Sequence, residues 1–294
     1  MISVFVAVVD TNGFAGAARK LNISPPAVTR AINELEAHLG VSLLVRTTRS
    51  VRVTEPGARY VADCRLILAQ IAEAEESVGN ALSAPRGSLI ITAPTTFGAA
   101  HVTPIVAEYL GRYPDVTVSC WFLDRLVNLL DEGVDVGVRI GELPDSSMRA
   151  IRVGPMPTVI CATPAYLEQH GVPKTPDDLG THVNIASGGA TSVSEWLFVE
   201  NGRPRTFKLQ PRLITLGGDT AVSAALCGFG LANVLRYKVS QHLRDGRLQA
   251  VLGDYAPPAL PVHVVHREGP HASKKVRAFI DLAVERLRER LASI

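Results

Sequence analysis

Aromatic residues make up 5% of this 294-residue chain, and cysteine, methionine and tryptophan occur four, three and two times. Cys64, Cys120, Cys161 and Cys227 are scattered, without a C-x-x-C pair or a histidine at metal-ligand spacing. A disulfide framework and a zinc module are thereby excluded; the expected state is buried free thiols in a cytoplasmic protein with no metal. No apolar run reaches the roughly 18 to 20 residues that a membrane span requires. The opening "MISVFVAVVD" has neither a basic n-region nor a small-x-small cleavage site, so it reads as a helix and not as a signal peptide. Charge of one sign is scarce as well: the net charge is +2, too little for a chain that coats nucleic acid along its whole length. Catalytic signatures are missing too. There is no G-x-S-x-G elbow, no H-E-x-x-H and no P-loop. "CGFGLAN" has two glycines of a dinucleotide fingerprint but Asn233 where the third belongs, and it follows a helical pattern instead of a strand. His101, His182, His263 and His266 fall at no ligand or triad spacing. The expectation is a protein that is no enzyme and needs no cofactor.

What is present is ordinary in bulk and uneven in detail. Apolar content of 47% with 20% charged residues suits a globular protein, and the length suffices for two or three units. In residues 1–60, Arg19, Lys20, Arg30, Arg46, Arg49, Arg52 and Arg59 outnumber Asp10, Glu34, Glu36 and Glu55. Seven against four is +3, which leaves −1 for the other 234 residues, so any basic function sits at the N-terminal end.

In that region "NISPPAVTRAINELEAHLG" starts a helix at a defined point. Ser24 is a good N-cap, and Pro25 and Pro26 occupy positions whose N–H groups would have been unpaired anyway. Val28, Ile32, Leu35 and Leu39 form one apolar stripe, Thr29, Arg30 and Asn33 lie on the open side, and Gly40 ends the helix. Upstream, "FAGAARKL" (14–21) is a short helix of small residues that lets a second helix approach closely, with Ile23 placed to plug the corner. This is the pattern of a helix-turn-helix, although two packed helices alone also form a plain αα-hairpin. "SLLVRTTRSVRVT" then gives two β-prone runs around a turn, a wing whose Arg46, Arg49 and Arg52 suit phosphates or the minor groove.

The stretch "FVAVVDTNGFAGAARKLNISPPAVTRAINELEAHLGVSLLVRTTRSVRVTEPG" resembles the winged helix-turn-helix of LysR-type transcriptional regulators. It carries the S-x-x-A-V-[ST]-x-x-I-x-x-L-E recognition helix, the L-G-V-x-L strand and the V-T-x-x-G ending. Met1 falls inside the family's first helix, about one turn short. The resemblance implies that Pro26, Ala27, Thr29, Arg30 and Asn33 face base edges beside the Ser24 cap. Arg30 suits guanine, Asn33 adenine, and Thr29 a thymine methyl or a phosphate. It assigns phosphate and minor-groove contacts to Arg46, Thr48, Arg49 and Arg52. The implied partner is double-stranded DNA carrying a palindromic operator, with RNA polymerase as a further one.

"TEPGARYVADCRLILAQIAEAEESVGNALSAPRG" is a helix capped by Thr54 and stopped by Pro85 and Gly87. Val61, Cys64, Leu68, Ile71, Glu75, Val78 and Leu82 keep spacings of three and four, a heptad seam broken only by Glu75. A second copy is the economical partner for it; packing on the chain's own C-terminal half is the alternative. The resemblance implies a homodimer of linker helices, with tetramers common in the family.

After residue 88 strands alternate with helices: "SLIITAP", "FGAAHVTPIVAEYLGRY", "DVTVSCWFL", helical "RLVNLLDEG", "VDVGVRIG" and onward to the amphipathic "HASKKVRAFIDLAVERLRERLA". Parallel βαβ units and an open α/β sheet are expected. "PTTFG", "YLGRYPDV", "ATPAYLEQHG", "CGFGLA" and "LRDGRL" are similar to the LysR-type effector domain, of type 2 periplasmic-binding-protein architecture. The expected fold is thus α/β, in three parts. Residues 1–54 are a winged helix-turn-helix, 55–84 a linker and dimerisation helix, and 85–294 a two-lobed effector-binding domain. One lobe takes 88–160 and 266–294, the other 161–265.

Ligands of open α/β sheets sit at the carboxyl ends of strands, often at helix N-termini. Thr95 and Thr96 follow the first strand and are placed to hold a carboxylate, or merely to cap a helix. Leu123 and Asp124 end the second strand. Arg139 and Ile140 end another, and Arg139 either pairs with an anionic effector or is tied in a structural salt bridge. Ser187 and Gly217, Gly218 and Asp219 supply the opposite lobe, with Asp219 equally suited to capping. The expected activity is sequence-specific transcriptional regulation tuned by a small-molecule effector. A transport solute-binding protein is disfavoured by residues 14–53 and the missing signal peptide, and an α/β enzyme with a regulatory head by the missing catalytic motifs.

Overall fold

Three short helices with small or branched faces enclose the first core. In a computed structural model, α1 (Ile2–Asp10) buries Val4, Phe5, Ala7 and Val8, and α2 (Phe14–Leu21) buries Ala17 and Ala18. At Gly16 a Cβ would come within 2.7 Å of the Thr11 side chain, so the small residues do permit the close approach. Asn22 ends α2 in the left-handed conformation, and α3 (Pro25–Leu39) follows directly. The Ser24 hydroxyl accepts the Ala27 N–H at 3.4 Å, and Gly40, at φ +67°, closes the helix. Val28, Ile32 and Leu35 are buried, but Leu39 and Ile23 are exposed. The corner is therefore closed by the Ile23 N–H on the Ala18 carbonyl (3.1 Å), not by the isoleucine side chain. Strands β1 (Leu44–Arg46) and β2 (Val51–Val53) pair antiparallel as the wing.

Helix α4 (Glu55–Val78) starts where Thr54 accepts the Gly57 N–H at 3.0 Å. The same hydroxyl donates to the Ser42 carbonyl at 2.8 Å. Gly57 lies so close to the chain entering β1 that a Cβ would stand 2.2 Å from the Leu43 carbonyl oxygen. Asp10 joins three helices through Arg65 (2.6 Å) and Lys20 (3.2 Å); Arg65 above all holds its carboxyl below the ordinary range. The expected heptad seam needs correction, because Val61 and Cys64 are buried in this same core and unavailable to a partner helix. Ile67 and Ile71, by contrast, are 41% and 49% exposed.

The structure describes all residues except 47–50, 79–83, 126, 130, 144–147, 189–194, 267–272 and 293–294, and omits the side chains of 46, 66, 69, 70 and 72–78. Glu75, Val78 and Leu82 of the seam thus fall outside its side-chain description. Two compact units result, residues 1–83 and 84–294.

The second unit holds two mixed five-stranded sheets. The first has the order β4 (Val116–Phe122), β3 (Gly87–Ala93), β5 (Val136–Ile140), β14 (Leu260–His266) and β6 (Arg149–Met156). The second has the order β11 (Leu213–Thr215), β8 (Asn184–Ser187), β12 (Leu231–Leu235), β7 (Thr158–Ala162) and β13 (Gln249–Val251). Strands β9 (Glu195–Glu200) and β10 (Arg203–Lys208) form a separate antiparallel ribbon. The expectation of parallel units holds for β3 with β4 and β5 and for β8 with β11 and β12. It fails for β14, antiparallel to both neighbours, and for β7, antiparallel to β12 and β13.

Two boundaries move with this. The whole of β14 pairs in the first sheet, so the chain returns to the first lobe by Leu260, not at 266. β7 belongs to the second sheet, so the outward crossing lies at Pro157 and not near 160. "RLVNLLDEG" also departs from expectation. Its described residues form turns, held by the Arg125–Glu132 ion pair and by Asn128 bonding to Asp131, while Val127 and Leu129 bury beside Val134 and Val265. Cysteine exposure is split: Cys64 and Cys161 are buried, Cys120 and Cys227 exposed.

The first lobe's helices are a short α5 (Thr95–Phe97), a π-helical turn (Gly98–Val102), α6 (Thr103–Arg112) and the C-terminal α10 (Lys274–Leu291). The second lobe contributes α7 (Pro164–His170), α8 (Gly218–Leu226) and α9 (Ser240–Arg244). Helices α6 and α10 are clamped by Arg286, whose Nε and Nη2 donate to the two Glu108 oxygens at 2.9 and 3.0 Å. Arg286 first, then Arg112, hold the Glu108 carboxyl at about 2. A depressed carboxylate stabilises the fold above its unfolded value and loses that contribution as pH falls through the folded one. Glu108→Gln is therefore expected to flatten the acid loss of stability of the second unit between pH 4.5 and about 2. Urea titrations followed by circular dichroism across that window check it; a pH profile identical to the parent would refute the assignment.

Candidate nucleic-acid interface and effector site

The open face of α3 is set by helical geometry. With Val28, Ile32 and Leu35 turned inward, Pro26, Ala27, Arg30 and Asn33 are exposed together with the Ser24 cap. Spacings of four, three and three put them on one side of the helix near its N-terminal end. Thr29 is half-buried and its hydroxyl donates back to the Pro25 carbonyl at 3.2 Å. Arg52 is exposed on β2. Arg46 lies on β1 with its side chain outside the described set, and Thr48 and Arg49 lie outside the described residues.

One residue of this unit escapes sequence reasoning. The Glu36 carboxylate, in the last turn of α3, accepts the N–H groups of Leu43 (2.7 Å) and Leu44 (3.0 Å), so it joins the helix to the first wing strand. A Glu at that place normally reads as solvent-facing, and only the fold brings the two amides to it.

In the second unit, Thr95 and Thr96 follow β3 as expected, but their immediate partners are protein groups. The Thr95 N–H donates to Asp124 Oδ1 at 2.9 Å, and its hydroxyl to the Phe122 carbonyl at 3.3 Å. A resident carboxylate therefore already occupies the amide that the sequence offers to an effector. Leu123, 36% exposed, bonds through its N–H to the Ala93 carbonyl. The Arg139 guanidinium donates to the carbonyls of Val127 and Val138, both at 3.3 Å, and Ile140 packs against the first lobe's core. Burial, opposed by Glu132, pulls the Arg139 guanidinium down.

Thr96 makes the connection between lobes. Its hydroxyl donates to Asp219 Oδ2, on the first turn of α8, and accepts from Lys238 Nζ at 3.1 Å. Lys238 also pairs with Asp219 Oδ1 at 2.8 Å, and its side chain is only 9% exposed. Burial acts to raise the Asp219 carboxyl, but the bonds from Lys238 and Thr96 leave it below its ordinary value.

Beside this contact lies a cavity of about 300 Å³ that brings together Ser187, Gly218, Trp196, Asn233 and Lys238. Asn233 Oδ1 is buried there without a hydrogen-bond partner among the described residues. Gly217 stands just outside, as the N-cap of α8. Of the residues expected to hold an effector, Thr96, Ser187, Gly218 and Asp219 converge on this cavity or on the lysine that lines it. Lys238 and Asn233 were not legible as site residues. Lys238 is 142 positions from Thr96, and no local pattern marks it.

Comparison with known proteins agrees with this architecture. Residues 1–58 match the model for the bacterial regulatory helix-turn-helix protein, lysR family, and residues 83–288 match the LysR substrate binding domain. An uncharacterized HTH-type transcriptional regulator of Haemophilus influenzae is 32% identical over 275 residues, 94% of this chain and 96% of that one. The solved structure of CrgA, a LysR-type transcriptional regulator from Neisseria meningitidis, superposes with a TM-score of 0.63 at 29% identity, covering 97% of both chains. The full-length structure of the Vibrio cholerae virulence activator AphB gives 0.63 at 25% identity, again over 97% of both chains.

Proposed function

The chain belongs to the LysR family of transcriptional regulators, and on that premise we propose how its residues read DNA and sense an effector. Pro26, Ala27, Thr29, Arg30 and Asn33 enter the major groove, with Arg30 and Asn33 reading base edges. Arg46, Thr48, Arg49 and Arg52 hold the flanking backbone or minor groove. Residues 1–54 are the reading head, and the helix from 55 joins two heads into a homodimer on a palindromic operator. The exposed Ile67 and Ile71 of α4 support that pairing, and a dimer of dimers is its extension. The protein acts in the cytoplasm, catalyses no reaction and needs no cofactor; no described helix is long and apolar enough to cross a membrane. RNA polymerase is the partner through which a bound regulator would act on transcription.

The effector occupies the cavity beside Thr96, Asp219 and Lys238. The observation that carries this is a lysine shared between lobes whose side chain is only 9% exposed, next to a buried acceptor, Asn233 Oδ1, that no described residue satisfies. Buried polar groups left open in a protein are expected to meet a ligand or water. An effector with an anionic group for Lys238 and a hydroxyl or N–H for Asn233 fits. By competing with Asp219 for the lysine it would favour one lobe arrangement over the other, and only such differential affinity shifts a population.

The test is a gel shift on DNA upstream of the protein's own reading frame, with and without small acids selected by thermal shift. Lys238→Met is expected to weaken the responsive acid at least about tenfold while operator binding without it persists. No binding to any such DNA at low salt would sink the regulator reading, and an unchanged response in Lys238→Met would sink the effector site alone.

A further inference from the structure

A tyrosine hydroxyl in the second lobe sits at a junction that the reading above leaves aside. Tyr166, on α7, is 4% exposed and packs in one core cluster with Trp196 and Leu231. Its oxygen accepts the Val183 N–H at 2.9 Å, and its hydrogen meets His182 Nδ1 at 3.2 Å. Among the described residues that nitrogen is the hydroxyl's one acceptor, so the neutral His182 imidazole carries its own hydrogen on Nε2. Two strands begin at this junction. The Val183 carbonyl accepts the Leu231 N–H at 2.8 Å, and Asn184 Nδ2 donates to the His182 carbonyl at 3.1 Å. At Gly230 a Cβ would stand 2.3 Å from the Val183 carbonyl oxygen, so the junction has no slack. Asn184 opens β8, Leu231 opens β12, and the two residues pair side by side. Further along, the same strands deliver Ser187 and Asn233 to the effector cavity.

A proton reverses the sense of the bond. A charged imidazole donates from both nitrogens, so the Tyr166 oxygen would face donors on two sides and its own hydrogen would be stranded in the core. A buried donor without an acceptor is costly, and the strand ends bonded through Val183 bear that cost. The titratable groups facing His182 come from two elements. Tyr166 and His170, whose rings stack at 4.5 Å, belong to α7. Asp178 belongs to the 3₁₀ turn Pro176–Thr181, and its Oδ2 is already engaged by the N–H groups of Lys174 (2.8 Å) and Thr175 (2.9 Å). Burial first, and the His170 charge second, hold the His182 imidazole below its ordinary 6.5, against the pull of Asp178. The neutral form is the folded form. Its contribution to stability is complete above 6.5 and is lost as pH falls through the lower folded value. We propose that His182 is a proton-operated release for the second lobe: taking up a proton strands the Tyr166 hydroxyl, loosens the beginnings of β8 and β12, and so opposes ligand binding at Ser187 and Asn233. The last step rests on the effector reading above; the release itself does not.

The experiment uses the full chain with Trp121→Phe, which leaves Trp196, a neighbour of Tyr166 in the core, as its one tryptophan. Its emission is followed from about pH 8 to about pH 5, the span in which histidine titrates. The expected result is a single transition with its midpoint below 6.5. His182→Asn removes the transition, because its Oδ1 accepts at the place of Nδ1 and takes up no proton. His170→Gln keeps the transition and moves its midpoint up, since a like charge is gone. Over the same span the unfolding temperature of the second unit falls roughly 2 to 4 °C further in the parent than in His182→Asn. Tyr166→Phe has no hydroxyl to strand and flattens both readouts, which keeps the test decisive if His182→Asn does not fold. A parent profile without a transition overturns the release, as does a transition that persists in His182→Asn or Tyr166→Phe. A transition lost in His170→Gln but kept in His182→Asn would give the proton to His170 and overturn it too. The response of Lys238→Met decides the effector site separately, whichever way the pH profile falls.

Discussion

Arg30→Ala is expected to lower affinity for the operator by about 1 to 3 kcal/mol while leaving affinity for unrelated DNA nearly unchanged. Arg30 stands on the open side of a helix whose start is set by Ser24 and whose inner face is anchored by Val28, Ile32 and Leu35. On the reading proposed above, a side chain at that place meets base edges, where a wrong donor pattern costs energy only on the right sequence. Arg52, exposed on the second wing strand, is proposed to meet the sugar–phosphate edge instead, where every sequence offers the same charge. Arg52→Ala should therefore weaken operator and scrambled DNA together and reduce the slope of log affinity against log salt by about 1. Fluorescence anisotropy over a salt series separates the two. If Arg30→Ala loses as much on scrambled DNA as on the operator, the division of labour between helix and wing is wrong.

Gly57→Ala is expected to be the most damaging single substitution in the first unit. Its backbone is helical, so conformational freedom is not the reason for glycine. The reason is contact: a Cβ would lie 2.2 Å from the Leu43 carbonyl oxygen and 2.9 Å from the Val53 side chain. Backbone on the far side cannot rotate away, so α4 must shift off the wing, taking Val61 and Cys64 out of the core. Overpacking against backbone costs about 3 kcal/mol, the upper end of the usual range. In a domain of this size each kcal/mol moves the melting temperature by roughly 4 to 8 °C, so a fall of at least about 12 °C is expected. Calorimetry should show it in the transition of the reading head, with DNA binding lost and ligand binding by the second unit intact. A shift below about 2 °C would mean that the helix start moves more freely than its contacts indicate.

The reading head was legible because its determinants are local. Ser24, the proline pair and Gly40 act within one helix, the small residues of α2 within one corner, and the V-T-x-x-G ending marks Thr54 and Gly57, which the structure explains by a cap and a close approach. The second unit was legible only as a class of fold. Periodicity calls "RLVNLLDEG" a helix, yet Asn128 and the Arg125–Glu132 pair hold turns there, a competition between side chain and backbone that spacing does not register. Nothing local tells that β14 (Leu260–His266) returns to the first sheet, since an apolar run looks the same in either lobe. Thr96 and Asp219 were singled out for the ends of elements they occupy. Lys238 carries no local mark, because its bonds to Thr96 and Asp219 form only when the crossing at Pro157 brings the two lobes together.

The two amides held by Glu36 bear on the operator as well as on the protein. On the reading proposed above, the carboxylate that accepts from Leu43 and Leu44 ties the reading helix to the first wing strand, so the two contacts of the head are expected to keep their separation. A half-site is then measured with a rigid gauge: the bases under Arg30 and the flanking step under the wing must keep a fixed phase around the duplex. Inserting one base pair between them displaces the flank by about 3.4 Å along the axis and turns it away from the wing. Such a site should bind like an unrelated sequence although every contacted base is still present.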